Sequence, residues 1–286
     1  MYRVDGSPEL HEEILPDWEG YRGSYPVRIG NGAAGQRQLD IYGEALDAFH
    51  YIDRFGVEIG QPGWLAICEL LEWLADTWDQ PEEGIWETRG GRKDFTYGRL
   101  MCWVAFDRAI RLATAHGRPA PLSRWMAERD AISNQIMDKG WSVEREAFVQ
   151  QYGDKALDAS LLKMPQVGFV APGDPMGQST LRAMNAEPVS DSLVYRYDPN
   201  ASPDGLLGSE GTFSLRTFLY VYSEEIAATG EQIGNFPQAF THLGLINAAI
   251  TLNDCLDDAA DKPGRSGRRA CNVPRQLPSR VTSEGR

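Results

Sequence analysis

Two short stretches carry carboxyl groups in settings that suit acid–base chemistry. The first is Gly84-Ile85-Trp86-Glu87, the second Tyr222-Ser223-Glu224-Glu225-Ile226. Two carboxyl groups in one cleft serve as proton donor and proton acceptor when their surroundings push their pKa values apart. The apolar neighbours of Glu87 predict partial desolvation, which favours the protonated form and suits a general acid. Arg89, two residues on, would orient that carboxyl while pulling its pKa down. The chain has 41 acidic residues, so a pair alone selects nothing. Each stretch also reads as a solvated acidic loop or a helix-cap charge.

The remaining composition narrows the classes. Eight Trp and eleven Tyr supply flat rings, most of them expected in the core, with a few free to pack on the apolar faces of sugars. A net charge of -13 argues against nucleic acid and against an anionic membrane surface, which both need basic patches. Cys68, Cys102, Cys255 and Cys271 form no CxxC pair, and His11, His50, His116 and His242 are scattered, so neither a metal site nor a cofactor is expected. Cys68 and Cys102 fall in apolar runs and read as small core residues. The first ten residues hold no apolar stretch, and no run of about 18 apolar residues follows, so neither a signal peptide nor a membrane span is expected. A cytoplasmic protein is the default expectation.

The elements that must carry these residues are helical. Leu39, Tyr42, Leu46 and Phe49 recur at spacings of three and four, with Gly56 as a stop. Trp64 to Trp78 is apolar on most sides and reads as a deeply packed helix. A third helix runs from Arg99 to His116 and closes at Gly117. A fourth is capped by Ser123, with Trp125, Ile132 and Ile136 on one face, and ends at Gly140. Leu157 to Met164 reads as a short helix stopped by Pro165, and Met176 to Glu187 as another. Thr212 to Tyr222 and Phe240 to Leu252 are the last two. Between them lie long polar loops, and this rhythm fits an α/α toroid or another large helical bundle, in which loops at one end carry function. From Asp257 onward the composition turns polar and basic, so residues 257–286 are expected to form a disordered tail behind a domain spanning 1–256.

Five blocks in order resemble the bacterial glucoamylase and trehalase branch of glycoside hydrolase family 15. They are YRGSYPVRIGNGAAGQRQLDIYGE, GIWE followed by FTYGRLMCWVAFDRA, FVQQYG with LDASLL, LVYRYDPN with DGLLGSEGTF, and SEEIAATGEQIGNFPQAFTHLGLINAA. The resemblance implies an all-α fold, here an incomplete (α/α)6 toroid of the six-hairpin glycosidase type. It also implies hydrolysis of an α-glucoside (a maltooligosaccharide, a starch-like glucan or trehalose) by single displacement with inversion. On that resemblance Glu87 is the general acid and Glu224 the general base that activates water, with Glu225 the nearby alternative. Such a pair sits roughly 6.5–9.5 Å apart. Arg196 resembles a glucose-binding arginine, Trp86 would pack on a sugar face, and Glu210, Tyr97 and Trp103 are further cleft candidates.

The chain departs from the family pattern in three places. The Arg-Asp motif of the WxRDA kind that grips the non-reducing glucose is absent and would lie upstream of residue 1, in what a separate N-terminal half would supply. A helix and loop expected between Val221 and Ser223 are missing. The sequence after Leu252 does not match. The expectation is a C-terminal fragment of such an enzyme, weak or inactive alone. The competing reading is a catalytically inactive carbohydrate-binding fragment.

Overall fold

The computed structural model describes residues 3–20, 23, 25–88, 90–187, 189, 190 and 193–197, together with the strand residues at 212–213, 225–226 and 232–233. Among these residues the helices are α1 Asp40–Asp53, α2 Gln61–Thr77, α3 Thr96–His116, α4 Leu122–Lys139, α5 Met164–Val167 and α6 Pro175–Ala186. The strands are two residues long and antiparallel: β1 Glu13–Ile14 with β2 Arg28–Ile29, β3 Trp141–Ser142 with β4 Ala147–Phe148, β5 Val189–Ser190 with β6 Leu193–Val194, and the ladder β7 Thr212–Phe213, β8 Glu225–Ile226, β9 Gln232–Ile233. The described part is therefore an all-α fold with small hairpins.

α3 is the centre. Every residue from Thr96 to Ile110 is buried, polar Arg99, Asp107 and Arg108 included. α1 lies along one side of α3 and α4 along another, while α2 touches both α3 and α4. The approach of α1 is close enough to exclude any side chain at Gly43, whose Cβ would fall 2.1 Å from the Met101 carbonyl oxygen. α2 turns Trp64, Ile67, Leu71 and Leu74 inward, and Trp64 meets Trp125 of α4 edge to face at 6.1 Å. Such edge-to-face pairs add roughly 0.5–1.5 kcal/mol beyond the area they bury.

Several expectations shift. α2 is buried along one face only; Leu65 and Trp73 stay 52% and 43% exposed, because neighbours cover only one side. Ser123 does not cap α4. The cap position is Pro121, whose carbonyl accepts the N–H groups of Arg124 and Trp125, and Ser123 lies inside the first turn. Pro165 does not stop a helix; it opens one, in the first turn of α5, where its missing N–H would have had no intrahelical partner. A 3-10 turn at Ala159–Lys163 precedes it. Gly117 ends α3 in the left-handed conformation (φ 60), as its position suggests. Thr212 and Phe213 form a strand paired with Ile226 and Glu225, not the start of a helix. The rest of that expected helix, the helix over 240–252, the tail from 257, Cys255, Cys271, Glu210 and Glu224 lie outside the described residues.

Candidate functional site

The loop between α2 and α3 brings Glu87 to one end of the helices. Its base is a bridge in which Glu82 and Lys93 exchange both backbone hydrogen bonds, at 2.9 and 2.7 Å. Gly84 then turns the chain at φ 77, where a Cβ would fall 3.0 Å from the Phe95 ring, and the Glu87 N–H donates back to the Gly84 carbonyl at 3.3 Å. Glu87 itself adopts a positive φ of 54, which is sparsely populated for a residue with a Cβ. Held strain of this kind is a feature of functional turns.

The loop is stitched to the segment ahead of α1. The Glu83 N–H donates to the Arg37 carbonyl at 3.0 Å, and the Arg37 N–H donates to the Glu83 carboxylate at 2.7 Å. Gln36 Nε2 donates to the Thr88 carbonyl at 3.1 Å. Leu39 N–H donates to Glu82 Oε2 at 2.7 Å. The next residue is Asp40, the first of α1. This stitching sets Asp40 in the electrostatic field of Glu87.

The desolvation expected at Glu87 falls on Asp40 instead. The Glu87 side chain is exposed, although Ile85 and Trp86 before it are half-buried, because the turn points the carboxyl outward. Asp40 has one carboxylate oxygen, Oδ1, buried with no hydrogen-bond partner. Burial pushes its pKa up to about 6, against a backbone hydrogen bond that favours the charged form; the charges of Glu44 and Glu87 add to the rise and Lys163 opposes it. Lys163 Nζ holds both oxygens of Glu44, at 3.1 and 2.9 Å, and the Tyr97 hydroxyl donates to Glu44 Oε1 at 2.6 Å. Tyr97 thus supports this acidic group from a buried position in α3.

Trp86 faces a second polar centre. Its indole N–H donates to Asp158 Oδ2 at 2.8 Å. The Arg196 guanidinium carbon lies 5.7 Å from the centre of the Trp86 ring, and the Tyr197 ring lies 6.3 Å from it at 51°. The structure brings Trp86 and Arg196, both candidates from sequence, side by side. Trp103 is elsewhere: it sits about 9 Å further along α3 than Tyr97 and packs edge to face on Phe169 at 5.2 Å. Glu225 has its backbone in β8, paired with Phe213 and Ile233.

Sequence reasoning misses Asp40, Glu44, Asp158 and Lys163. Asp158 carries a partial signal, Asp-x-Ser ahead of an apolar run, which marks a helix cap; its Oδ1 does accept the Ser160 N–H at 2.8 Å. Nothing local announces that its other oxygen reaches Trp86. Among the described residues no group of three His, Cys, Asp or Glu side chains is placed to hold a metal ion, and no helix is long and apolar enough to cross a membrane. A surface hollow between the β3–β4 hairpin and α6, lined by Trp141, Val143, Glu146, Pro175 and Met176, holds none of the expected site residues.

Residues 1–223 match the sequence model described as Glycosyl hydrolases family 15. A trehalase of Mycobacterium tuberculosis is 39% identical over 293 aligned residues, covering 92% of this chain and 43% of the relative. A trehalase of Thermoplasma acidophilum is 36% identical, covering 89% of this chain and 48% of the relative. The chain thus spans about half the length of the curated relatives it matches. Among solved structures, a glycosidase in complex with glucose is similar with a TM-score of 0.55 at 20% identity, over 68% of this chain and 52% of that one. That likeness carries the fold, the (α/α)6 toroid, of which the described residues supply part.

Proposed function

The chain belongs to glycosyl hydrolase family 15, and from that membership we propose that its chemistry is the hydrolysis of an α-glucosidic bond, with trehalose as the substrate. The observation that carries the reading is the Gly84–Glu87 turn. It presents an exposed carboxyl at positive φ, with a half-buried indole one residue before it and the raised carboxyl of Asp40 in its field. The two trehalases at 39% and 36% identity support the choice of substrate.

In this reading Glu87 is the general acid. It gives its proton to the glycosidic oxygen as the bond from that oxygen to the anomeric carbon breaks. Glu224 takes a proton from a water that attacks the same carbon from the opposite face. The second proton balances the first, and trehalose and water become one α- and one β-glucose. Trp86 packs on a sugar face, and Arg196 makes charge-assisted bonds to hydroxyls. Glu225 and Glu210 are the further acidic groups of the substrate cleft, Tyr97 acts through Glu44, and Trp103 shapes the scaffold behind.

The test is glucose release from trehalose and from maltose by the purified chain, with the product anomers followed by NMR. The expected result is one α- and one β-anomer from trehalose and an initial excess of β-glucose from maltose, with a loss of at least about 10²-fold in Glu87→Gln. Turnover indifferent to that substitution would sink the assignment of Glu87. Trehalose binding without products would favour a carbohydrate-binding role.

A further inference from the structure

Asp158 is fully buried and accepts four hydrogen bonds. Oδ1 takes the Ser160 N–H at 2.8 Å and the Ser160 hydroxyl at 2.6 Å. Oδ2 takes the Trp86 indole N–H at 2.8 Å and the Gln150 side-chain amide at 3.1 Å. The backbone joins the same point. Asp158 forms an isolated antiparallel bridge with Tyr197, and the Ala159 N–H donates to the Arg196 carbonyl at 2.9 Å. Gln150 in turn accepts the Thr96 N–H at its carbonyl, at 2.9 Å, where α3 begins.

Four stretches therefore meet at one residue: the Trp86–Glu87 turn, Gln150 and Ser160 on its carboxylate, and the Arg196 segment on its backbone. Trp86 and Arg196 are the two side chains proposed to hold sugar. Neither rides on a helix; one sits in a turn and the other in a bend beside the Tyr197 bridge, so their relative placement depends on what ties those segments together.

We propose that Asp158 is a positioning residue for the reaction: its buried carboxylate holds the Trp86–Glu87 turn against the backbone stretch that pairs with the Arg196 segment, so the two stay in one register. This rests on the reading of Trp86, Glu87 and Arg196 as the glucoside site. A carboxylate suits the task because all four of its bonds come from donors. An amide in its place has one oxygen and an NH2 that cannot accept. In Asp158→Asn either the Trp86 indole and Gln150 lose their acceptor, or the Ser160 N–H does. The shift then reaches Glu87 through the adjoining peptide, and displacements of about 1 Å at reacting groups cost on the order of 10²-fold in rate.

The experiment uses the full chain, isotopically labelled on the indole nitrogen. With eight Trp, its eight indole N–H signals are separable, and the one absent in Trp86→Phe belongs to Trp86. In Asp158→Asn that signal moves upfield and exchanges faster with water, and kcat/KM on trehalose falls about 10- to 100-fold. The double variant with Trp86→Phe loses little beyond Trp86→Phe alone, because both remove the same bond. An unmoved indole signal, wild-type turnover in Asp158→Asn, or fully additive losses would each overturn the positioning role. If Asp158→Asn does not fold, the wild-type chain decides: slow indole exchange at a half-exposed Trp86 supports the bond, and exchange at the solvent rate overturns it. A wild-type chain that neither hydrolyses nor binds trehalose would overturn the glucoside reading itself, an outcome distinct from an active wild type with an equally active Asp158→Asn.

Discussion

The backbone N–H of Leu39, which precedes α1, is held by the carboxyl group of Glu82, 43 residues later, at 2.7 Å. Glu82 is fully buried, and its other oxygen has no hydrogen-bond partner. That oxygen lies against α3, where a Cβ on Gly98 would fall 1.6 Å from it. Only glycine leaves room for the carboxyl there. Burial pushes the Glu82 pKa up to about 8, against the Leu39 hydrogen bond and the Arg99 charge; Asp40 and Glu83 add to the rise.

The sign of the consequence follows from proton linkage. The folded chain keeps a proton on Glu82 that the unfolded chain releases near the ordinary value of 4.5. The stabilisation is complete below that value and is lost as pH rises through about 8. Thermal unfolding of wild type should therefore fall in midpoint between pH 6 and pH 9. Glu82→Gln, neutral throughout and still able to accept from Leu39, should flatten the fall. A tenfold difference in proton affinity between the folded and unfolded chain is worth about 1.4 kcal/mol, so the two proteins are readily told apart. Parallel curves would refute the idea.

Asp40 adds to the same pH dependence. Burial raises its carboxyl from 3.8 to about 6, with the charges of Glu44 and Glu87 adding to the rise and Lys163 opposing it. The stabilisation from its retained proton is complete below pH 3.8 and is lost as pH rises through about 6. Asp40→Asn, neutral throughout, should therefore flatten the fall in thermal midpoint between pH 4 and pH 7. A fall as steep as in wild type would show that Asp40 does not carry that proton in the folded chain.

Gly43 tests the helical scaffold alone. Gly43→Ala would drive its Cβ into the Met101 carbonyl and force α1 away from α3, at a cost of about 3 kcal/mol, the upper part of the range for overpacked cores. Gly35→Ala, with nothing within 4 Å and no left-handed backbone, is the matched control and should be close to neutral. Urea midpoints of the two variants make the comparison. Similar midpoints would mean that α1 can move without cost.

How much of the fold and the site is legible in the sequence depends on the range of the forces involved. The helices α1, α3 and α6 are readable because apolar residues recur with the helical period and Gly117 supplies a left-handed end. Pro165 misleads because a proline is tolerated in the first turn and excluded from the interior, and only the path of the chain says which applies. Ser123 misleads for the same reason: a serine near a helix start caps only if the backbone enters at that residue.

The amino-acid order determined the helical character, the family blocks and the identity of the loop that carries Trp86 and Glu87, because local periodicity and turn residues act over a few positions. Tertiary structure alone decided which carboxyls lost water. Glu87, flanked by apolar neighbours, is exposed, whereas Asp40, Glu82 and Asp158 lose water, Glu82 against Leu39 43 positions away and Asp158 against Trp86 72 positions away. Desolvation is a property of the assembled surroundings, and no spacing along the chain encodes it.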